Sequence, residues 1–156
     1  MQKITTFLTF NDQAEEAATF YTSIFADSKI NRINRIGANS SSSEGRVLSA
    51  TFQLRGQEFF ALNGGPSFTF SDGISLFVDC DNQQEVDELW ERLSEGGKKG
   101  QCGWLKDKFG VSWQIVPSAL GRLLQGDDPT KSKRVMEAMM QMTKIDIQTL
   151  EAARNG

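Results

Sequence analysis

The residue types that most often perform chemistry in proteins are scarce in this chain. Its 156 residues include no histidine, which removes the commonest general base and metal ligand together with every Ser-His or Cys-His nucleophile arrangement. The two cysteines, Cys80 and Cys102, lie far apart in the sequence and lack the CxxC spacing of a metal site. We therefore predict two free thiols, and no positive neighbour near Cys102 favours its thiolate.

The polar residues that remain as candidates are two amides and one carboxylate. Gln114 and Asn63 lie in strand-like segments, where an amide that points into a pocket can both donate and accept hydrogen bonds to a small ligand. For each, an amide satisfied within the core is an equally good interpretation. Asp107 begins an Asp-x-x-Gly turn, where a carboxylate typically accepts from turn amides. No pair of acids indicates acid and base catalysis.

Length and composition predict a single domain over residues 1–156. Hydrophobic residues make up 38% of the chain and charged residues 24%, which is enough apolar material to build a core. The net charge of −3 leaves no basic excess for binding phosphates, and no long apolar stretch suits a signal peptide or membrane span. We expect a cytoplasmic protein with neither a nucleic-acid nor a membrane partner.

The first half of the chain alternates between strand and helix patterns. β-Branched and aromatic residues predict a strand over 4–10, and helical spacing predicts a helix over 12–25 that is capped by Asp12 or its neighbour. Three antiparallel strands should follow, with a tight turn at Arg55 and Gly56 and a mobile Ser-rich loop over 37–45. The predicted strands are 29–36, 46–54 and 57–62.

The second half repeats this order. A strand pattern over 74–79 and a helical pattern over 81–94 precede closing strands near 99–106 and 111–116. The prediction is therefore two β-α-β-β-β modules, over 1–66 and 67–117, and a helical tail over 118–156. Four of the five methionines lie in the tail; a methionine stripe usually indicates packing, although it would also suit a ligand surface or a partner groove.

A β-α-β-β-β module that occurs twice, with the turn Asp107-Lys108-Phe109-Gly110 before its last strand, resembles the vicinal-oxygen-chelate superfamily of glyoxalase, bleomycin-resistance and dioxygenase proteins. Segments 12–17, 61–66, 100–107 and 142–147 are similar to its PhnB-like branch, part of which bears a 3-demethylubiquinone-9 3-methyltransferase label. The resemblance implies an α+β fold in which two βαβββ modules form a curled mixed sheet around a cavity, followed by the helical tail. It also implies a homodimer.

The resemblance further implies where a divalent metal would be held. The superfamily often places His, Glu or Gln at four inward positions, which fall here at Thr5, Gly73, the stretch 59–63 and Gln114. These supply no imidazole and no carboxylate, the ligands that Zn, Ni or Fe need. We therefore expect no metal and no other cofactor. The competing expectation is a hard-cation site rebuilt from Asp79, Asp81 or Asp107.

Strand alternation predicts which side chains face the cavity. The apolar stripes expected under the helices are Ile4, Leu8, Phe10, Ile74, Leu76 and Val78. Alternate residues then face inward, and the predicted ligand site consists of Thr5, Phe7, Asn63, Ser75, Phe77, Trp104 and Gln114. The same inward face is expected to carry Ser49, Thr51, Gln53, Phe59, Ala61 and Ser112.

The leading hypothesis is a metal-free protein that binds a small molecule of unknown identity, or an enzyme of unknown reaction. One alternative is a metal-dependent lyase, isomerase or dioxygenase of the same superfamily, and another is an antibiotic-sequestering or purely structural dimer. Methyl transfer is disfavoured, because it needs a Gly-rich strand-to-helix turn that holds the methyl donor. Gly64-Gly65-Pro66 follows a strand but opens no predicted helix.

Overall fold

The computed structural model describes residues 2–36 and 46–156, so the predicted Ser-rich loop at 37–45 lies outside the described residues. The chain divides into two compact units, Met1–Thr69 and Phe70–Gly156. Each unit is built on a sheet of its own.

The first unit is a β-α-β-β-β module. Its elements are β1 (Thr6–Phe10), α1 (Ala14–Ile24), β2 (Ser28–Arg35), β3 (Val47–Leu54) and β4 (Gln57–Asn63). The strands lie in the order β1-β4-β3-β2, with β1 parallel to β4 and the other pairs antiparallel. Arg55 and Gly56 connect β3 to β4 with φ angles of 50° and 84°, which is the geometry of the predicted tight turn.

Helix α1 covers one face of this sheet, because its small and aromatic residues recur on one side. Ala14 and Ala17 are fully buried. Tyr21 lies 6.0 Å from the Phe52 ring, which stacks on Phe59 at 5.3 Å. The helix therefore packs on β3 and β4, and no other helix of the described part of this unit covers the opposite sheet face, which we call its open face.

The second unit contains the same module. Its elements are β5 (Ser75–Cys80), α2 (Gln83–Ser94), β6 (Lys98–Lys99), β7 (Trp104–Lys106) and β8 (Ser112–Pro117), in the strand order β5-β8-β7-β6. The predicted strand over 99–106 is interrupted between β6 and β7, where Cys102 and Gly103 have φ angles of 57° and 85°. The α+β class and the duplicated module are confirmed.

The helical tail forms a second core within this unit. It consists of α3 (Ser118–Leu124), α4 (Pro129–Met140) and α5 (Ile147–Asn155), with Asp128 and Asp146 as the N-caps of the last two helices. The buried core residues are Val116, Leu120, Val135, Ile145 and Leu150, against which Met139 and Met142 pack. None of the helices in residues 2–36 and 46–156 is long and apolar enough to cross a bilayer.

Two parts of the predicted strand register are wrong. Ile4 and Ile74 are 91% and 74% exposed, because β1 and β5 begin only after them. In β4, pairing places Ala61 beside the buried Leu8, so Phe59, Ala61 and Asn63 share the helix side rather than the open face. Apolar residues occupy both faces of β4, and alternation alone therefore could not choose between them.

Candidate functional site

Four of the seven predicted site residues come together on the open face of the second sheet. Gln114 on β8 pairs with Phe77 on β5 and with Trp104 on β7, so these three side chains form one row across the sheet. Ser75 belongs to the same face, two residues before Phe77. We name this set, Ser75, Phe77, Trp104 and Gln114, the open-face site.

The polar groups of the open-face site contact each other. Gln114 Nε2 donates to Ser75 Oγ at 2.9 Å, and both side chains are partly buried. Within the part of the chain that the structure describes, the Gln114 side-chain oxygen Oε1 and the Ser75 hydroxyl proton make no further hydrogen bond. The pair can therefore offer one acceptor and one donor to a ligand.

Aromatic rings flank this polar pair. Phe77 is 59% exposed and Trp104 is 37% exposed, which is high for large apolar side chains on a sheet. Exposed rings beside a small number of convergent polar groups are typical of a small-molecule site. The arrangement can hold a ligand by stacking and hydrogen bonding, and its own four side chains provide no imidazole, thiol or carboxylate.

The predicted site residues of the first unit are arranged differently. Phe7 lies on the open face of its sheet, 54% exposed, with its ring edge-on to Phe60 at 5.8 Å. Thr5 lies one residue before β1, and its hydroxyl is 3.4 Å from Gln2 Nε2. Asn63 does not join them, since it faces the helix side.

Asn63 instead caps α1. Its Oδ1 accepts from the Ala14 N–H at 2.8 Å, and its Nδ2 donates to the Val47 carbonyl oxygen at 3.0 Å. The residue in the N-cap position, Gln13, makes no side-chain cap bond. The expectation of a cap from Asp12 or its neighbour is therefore wrong, because the capping group comes from β4.

A cavity adjoins this cap. It has a volume of about 570 Å³ and is lined by Asn63 with charged residues that include Asp12, Glu15 and Arg46. Glu15 is already paired with Arg35 at 3.2 Å. The cavity thus carries mixed charge, without a buried unsatisfied polar side chain among the described residues.

The remaining candidates have structural roles. Asp107 Oδ1 accepts from the Phe109 and Val111 N–H groups at 2.9 and 3.0 Å, and Oδ2 accepts from Trp113 Nε1 at 2.9 Å. This confirms the turn role predicted for Asp107. Cys80 and Cys102 are both free thiols, as predicted.

The superfamily's metal positions do not form a fitting donor set in this chain. Gly73 has no side chain, the stretch 59–63 contains no acid, and Gln114 is an amide already bonded to Ser75. Among residues 2–36 and 46–156, no three His, Cys, Asp or Glu side chains are grouped to hold an ion. Two carboxylates proposed for a rebuilt site are engaged, Asp107 in its turn and Asp79 with Ser118 Oγ at 2.8 Å.

The doubled β-α-β-β-β module is the one that the resemblance to the vicinal-oxygen-chelate superfamily implies. Residues 2–116 match the family model described as 3-demethylubiquinone-9 3-methyltransferase, and the chain belongs to this PhnB-like family. The tail helices lie beyond the matched range. No curated protein matches the chain.

Solved structures give the same assignment. A PhnB protein from Bacillus cereus is 42% identical, with a TM-score of 0.68 over 75% of this chain and 100% of the other. A protein from Pseudomonas aeruginosa is 20% identical, with a TM-score of 0.62 over 75% of this chain and 98% of the other. The second likeness supports the fold alone.

Proposed function

We propose that this chain binds a small molecule at the open-face site. The observation that carries the proposal is Gln114, which lies between two exposed aromatic rings and is bonded to Ser75; together the two polar side chains retain an acceptor and a donor. Side chains of this kind fix the orientation of a ligand while the rings contact its apolar part. Recognition, rather than a particular reaction, is the function that this geometry supports.

We propose further that binding needs no metal and that the chain does not transfer methyl groups, despite the family's description. The donor set at the superfamily's metal positions is unsuited to a transition metal. A methyl-donor site needs a Gly-rich turn between a strand and a helix. Two strand-to-helix connections, 11–13 after β1 and 81–82 after β5, contain no glycine, and α3 follows β8 with no residue between them. Strand β4 leads to β5 rather than to a helix.

A thermal-shift screen with a matched pair of variants tests the binding site. A ligand present at about 100 times its Kd stabilises the native state by roughly 2.7 kcal/mol, which corresponds to a melting-temperature rise of about 5–10 °C for a chain of this size. Gln114→Leu should abolish the rise for a true ligand. Gln148→Leu, an exposed residue on α5, should retain it.

The metal-free part of the proposal has its own measurement. Elemental analysis after extensive dialysis should find less than about a tenth of a transition-metal ion per chain, given the donor set. About one ion per chain, with ligand binding lost on chelation, would contradict it and support the lyase or dioxygenase alternative. Ligands that bind equally well to the Gln114→Leu variant would contradict the location of the site.

We propose that the protein acts as a cytoplasmic homodimer. Met136 and Met140 lie one turn apart on α4, 42% and 55% exposed, and provide apolar surface that suits an interface. The two thiols remain unlinked, which suits a reducing compartment. Sedimentation at micromolar concentration should show twice the 17.3 kDa mass of one chain, and a purely monomeric species would refute the dimer.

A further inference from the structure

A second row of side chains lies beside the open-face site. The strand register pairs Ser75 with Ser112, Ser112 with Lys106, and Lys106 with Lys98. Paired residues point to the same side of a sheet, so both lysines share the face of Gln114. Successive rows on one face are two residues apart along a strand, and this separates the two rows by about 7 Å.

A small cavity opens at this edge of the sheet. Its volume is about 340 Å³, and its lining includes Trp104 from the open-face site, Ser112 and three lysines against one aspartate. The lysines are Lys98, Lys99 and Lys106. The volume falls within the range of small-molecule sites, which begins at about 300 Å³.

One of the three lysines that line this cavity has no ion-pair partner among the described residues. Lys106 pairs with Asp72 at 2.6 Å, and Lys99 pairs with Glu91 at 3.0 Å. Lys98 is exposed and makes no ion pair with the residues that the structure describes. The positive excess is local, since the whole chain has a net charge of −3.

The register adds a second reason to expect an anion here. Lys98 and Lys106 are directly opposite each other in an antiparallel pair, and like charges in that position are destabilising. Asp72 offsets one of the two charges. An anion held between the two ammonium groups would offset the other.

From this juxtaposition we infer that the ligand of the open-face site combines a flat apolar part with an oxyanion group, and that Lys98 selects for the oxyanion. The apolar part contacts Phe77 and Trp104, and the oxyanion lies about 7 Å away, one row further along the strands. The inference rests on the proposed function, because it assigns the chemical class of ligand to the same site. A carboxylate and a phosphonate share the required chemistry.

Lys98 also occupies a two-residue edge strand, where lysines commonly prevent the addition of strands from another chain. This edge role and the anion-binding role make different demands. Protection of the edge strand requires a charge at Lys98 but no ligand. Anion binding predicts instead that a negatively charged ligand binds more tightly than a neutral one, and that this difference disappears when Lys98 is replaced.

Three probes of matched shape separate these roles. They are 3-phenylpropionate, its neutral amide 3-phenylpropanamide, and 2-phenylethylphosphonate. Each is titrated into the full chain at pH 7 and low salt, and binding is followed by the shift of the Trp104 indole N–H signal, which is identified by its loss in Trp104→Phe. The variants are Lys98→Gln, Lys98→Arg and, as the control, Lys133→Gln, whose side chain is 76% exposed on α4.

The carboxylate should bind about three- to fivefold more tightly than the amide, which is the upper part of the range measured for exposed ion pairs. Lys98→Gln should bring the ratio of carboxylate affinity to amide affinity to about one without weakening the binding of the amide. Lys98→Arg and Lys133→Gln should preserve the ratio. The ratio should also shrink at about 1 M salt, where the screening length falls to about 3 Å. The phosphonate's affinity relative to the carboxylate identifies the preferred oxyanion.

Three results would overturn the inference. Equal binding of carboxylate and amide to the unmodified protein would reject oxyanion selection while leaving the proposed function intact. A persistent ratio in Lys98→Gln, accompanied by self-association of that variant, would assign Lys98 to edge protection alone. No shift of the Trp104 signal with any of the three probes, up to the solubility limit of each, would count against both the inference and the open-face site.

Discussion

Replacing Asn63 with alanine should destabilise the first unit, because this one side chain makes two hydrogen bonds to separate elements. Its Oδ1 accepts from the Ala14 N–H at the start of α1, and its Nδ2 donates to the Val47 carbonyl oxygen. Ala14 is fully buried, so its N–H has poor access to water as a substitute partner. Asn63→Ala removes both bonds at once.

The magnitude follows from the two groups that lose a partner. Loss of an N-cap acceptor costs about 0.5–2 kcal/mol, and loss of the second hydrogen bond costs about 1 kcal/mol more. Val47 lines the cavity of about 570 Å³ beside Asn63, whereas Ala14 does not, so water can partly replace the bond to the Val47 carbonyl oxygen and offset part of this cost. We expect a net loss near 2 kcal/mol, or a melting temperature about 4–8 °C lower.

Urea unfolding followed by circular dichroism measures this loss, and hydrogen exchange of the first-turn amides of α1 localises it. Asn63→Asp keeps the acceptor but not the donor, and it should cost about half as much. Gln13→Ala should be nearly neutral, because Gln13 makes no side-chain cap bond. A loss below about 0.5 kcal/mol for Asn63→Ala, with a larger loss for Gln13→Ala, would refute the assignment of the cap to β4.

Three further predictions concern the second unit. Asp107→Ala strands three donors, one of them the buried Trp113 indole, and should cost about 3–5 kcal/mol in urea unfolding; a cost below 1 kcal/mol would contradict the turn role. A Cβ at Gly97 would meet the Lys106 carbonyl oxygen well inside van der Waals contact, so Gly97→Ala should lower the free energy of unfolding by about 1–3 kcal/mol. The control is Gly121→Ala, at a helix position with nothing nearby, which should raise it by about 0.5–1 kcal/mol. Hydrogen bonds from the Gln83 and Lys144 side chains lower the pKa of Asp87 from its ordinary value of 3.8. Its stabilising effect is therefore present above that value and is lost as the pH falls through the lowered pKa. Asp87→Asn should destabilise the protein at pH 7, and the difference from the unmodified protein should shrink as the pH is lowered below 3.8.

The elements of the fold could be predicted because local patterns specify them. Alternating apolar residues, the turn at Arg55 and Gly56 and the caps at Asp128 and Asp146 are short-range signals, and the structure contains all of them. Of the predicted strands, only the one over 99–106 was divided. In the gap the Cys102 and Gly103 N–H groups donate to the Met142 and Thr143 carbonyl oxygens of the tail, and no local pattern reveals that contact.

The candidate site could be predicted only where one face of a strand is clearly polar or clearly exposed. In β5 the buried Val78 and Cys80 alternate with the exposed Phe77, and the orientation of Ser75 and Phe77 was predicted correctly. In β4 the run Phe59-Phe60-Ala61-Leu62 is apolar on both faces. Its register is set by parallel pairing with β1, a contact across some 50 residues of chain, so Asn63 was assigned to the wrong face. Lys98 was not predicted as a site residue, because its role depends on which residues lie opposite it in the sheet.

The two modules differ in how they cap the N-terminus of their helix, one with residues nearby in the sequence and the other with a distant residue. Helix α2 is capped by residues next to it in the sequence, since the Asn82 side chain accepts from the Glu85 N–H and the Glu85 carboxylate accepts from the Asp81 N–H, an arrangement close to a capping box. Helix α1 has no such motif, and the amide at its start is satisfied by the side chain at the end of β4. The equivalent strand position in the second module is Pro117. It is paired with Cys80 in the way that Asn63 is paired with Phe10, and a proline side chain has no group that could cap a helix. A polar side chain at this strand position therefore stabilises the start of the helix in the first module, whereas the second module caps its helix without one. Because both polar ends of Asn63 are engaged in this way, Gln114 and Ser75 are the amide and hydroxyl on which the proposed ligand site depends.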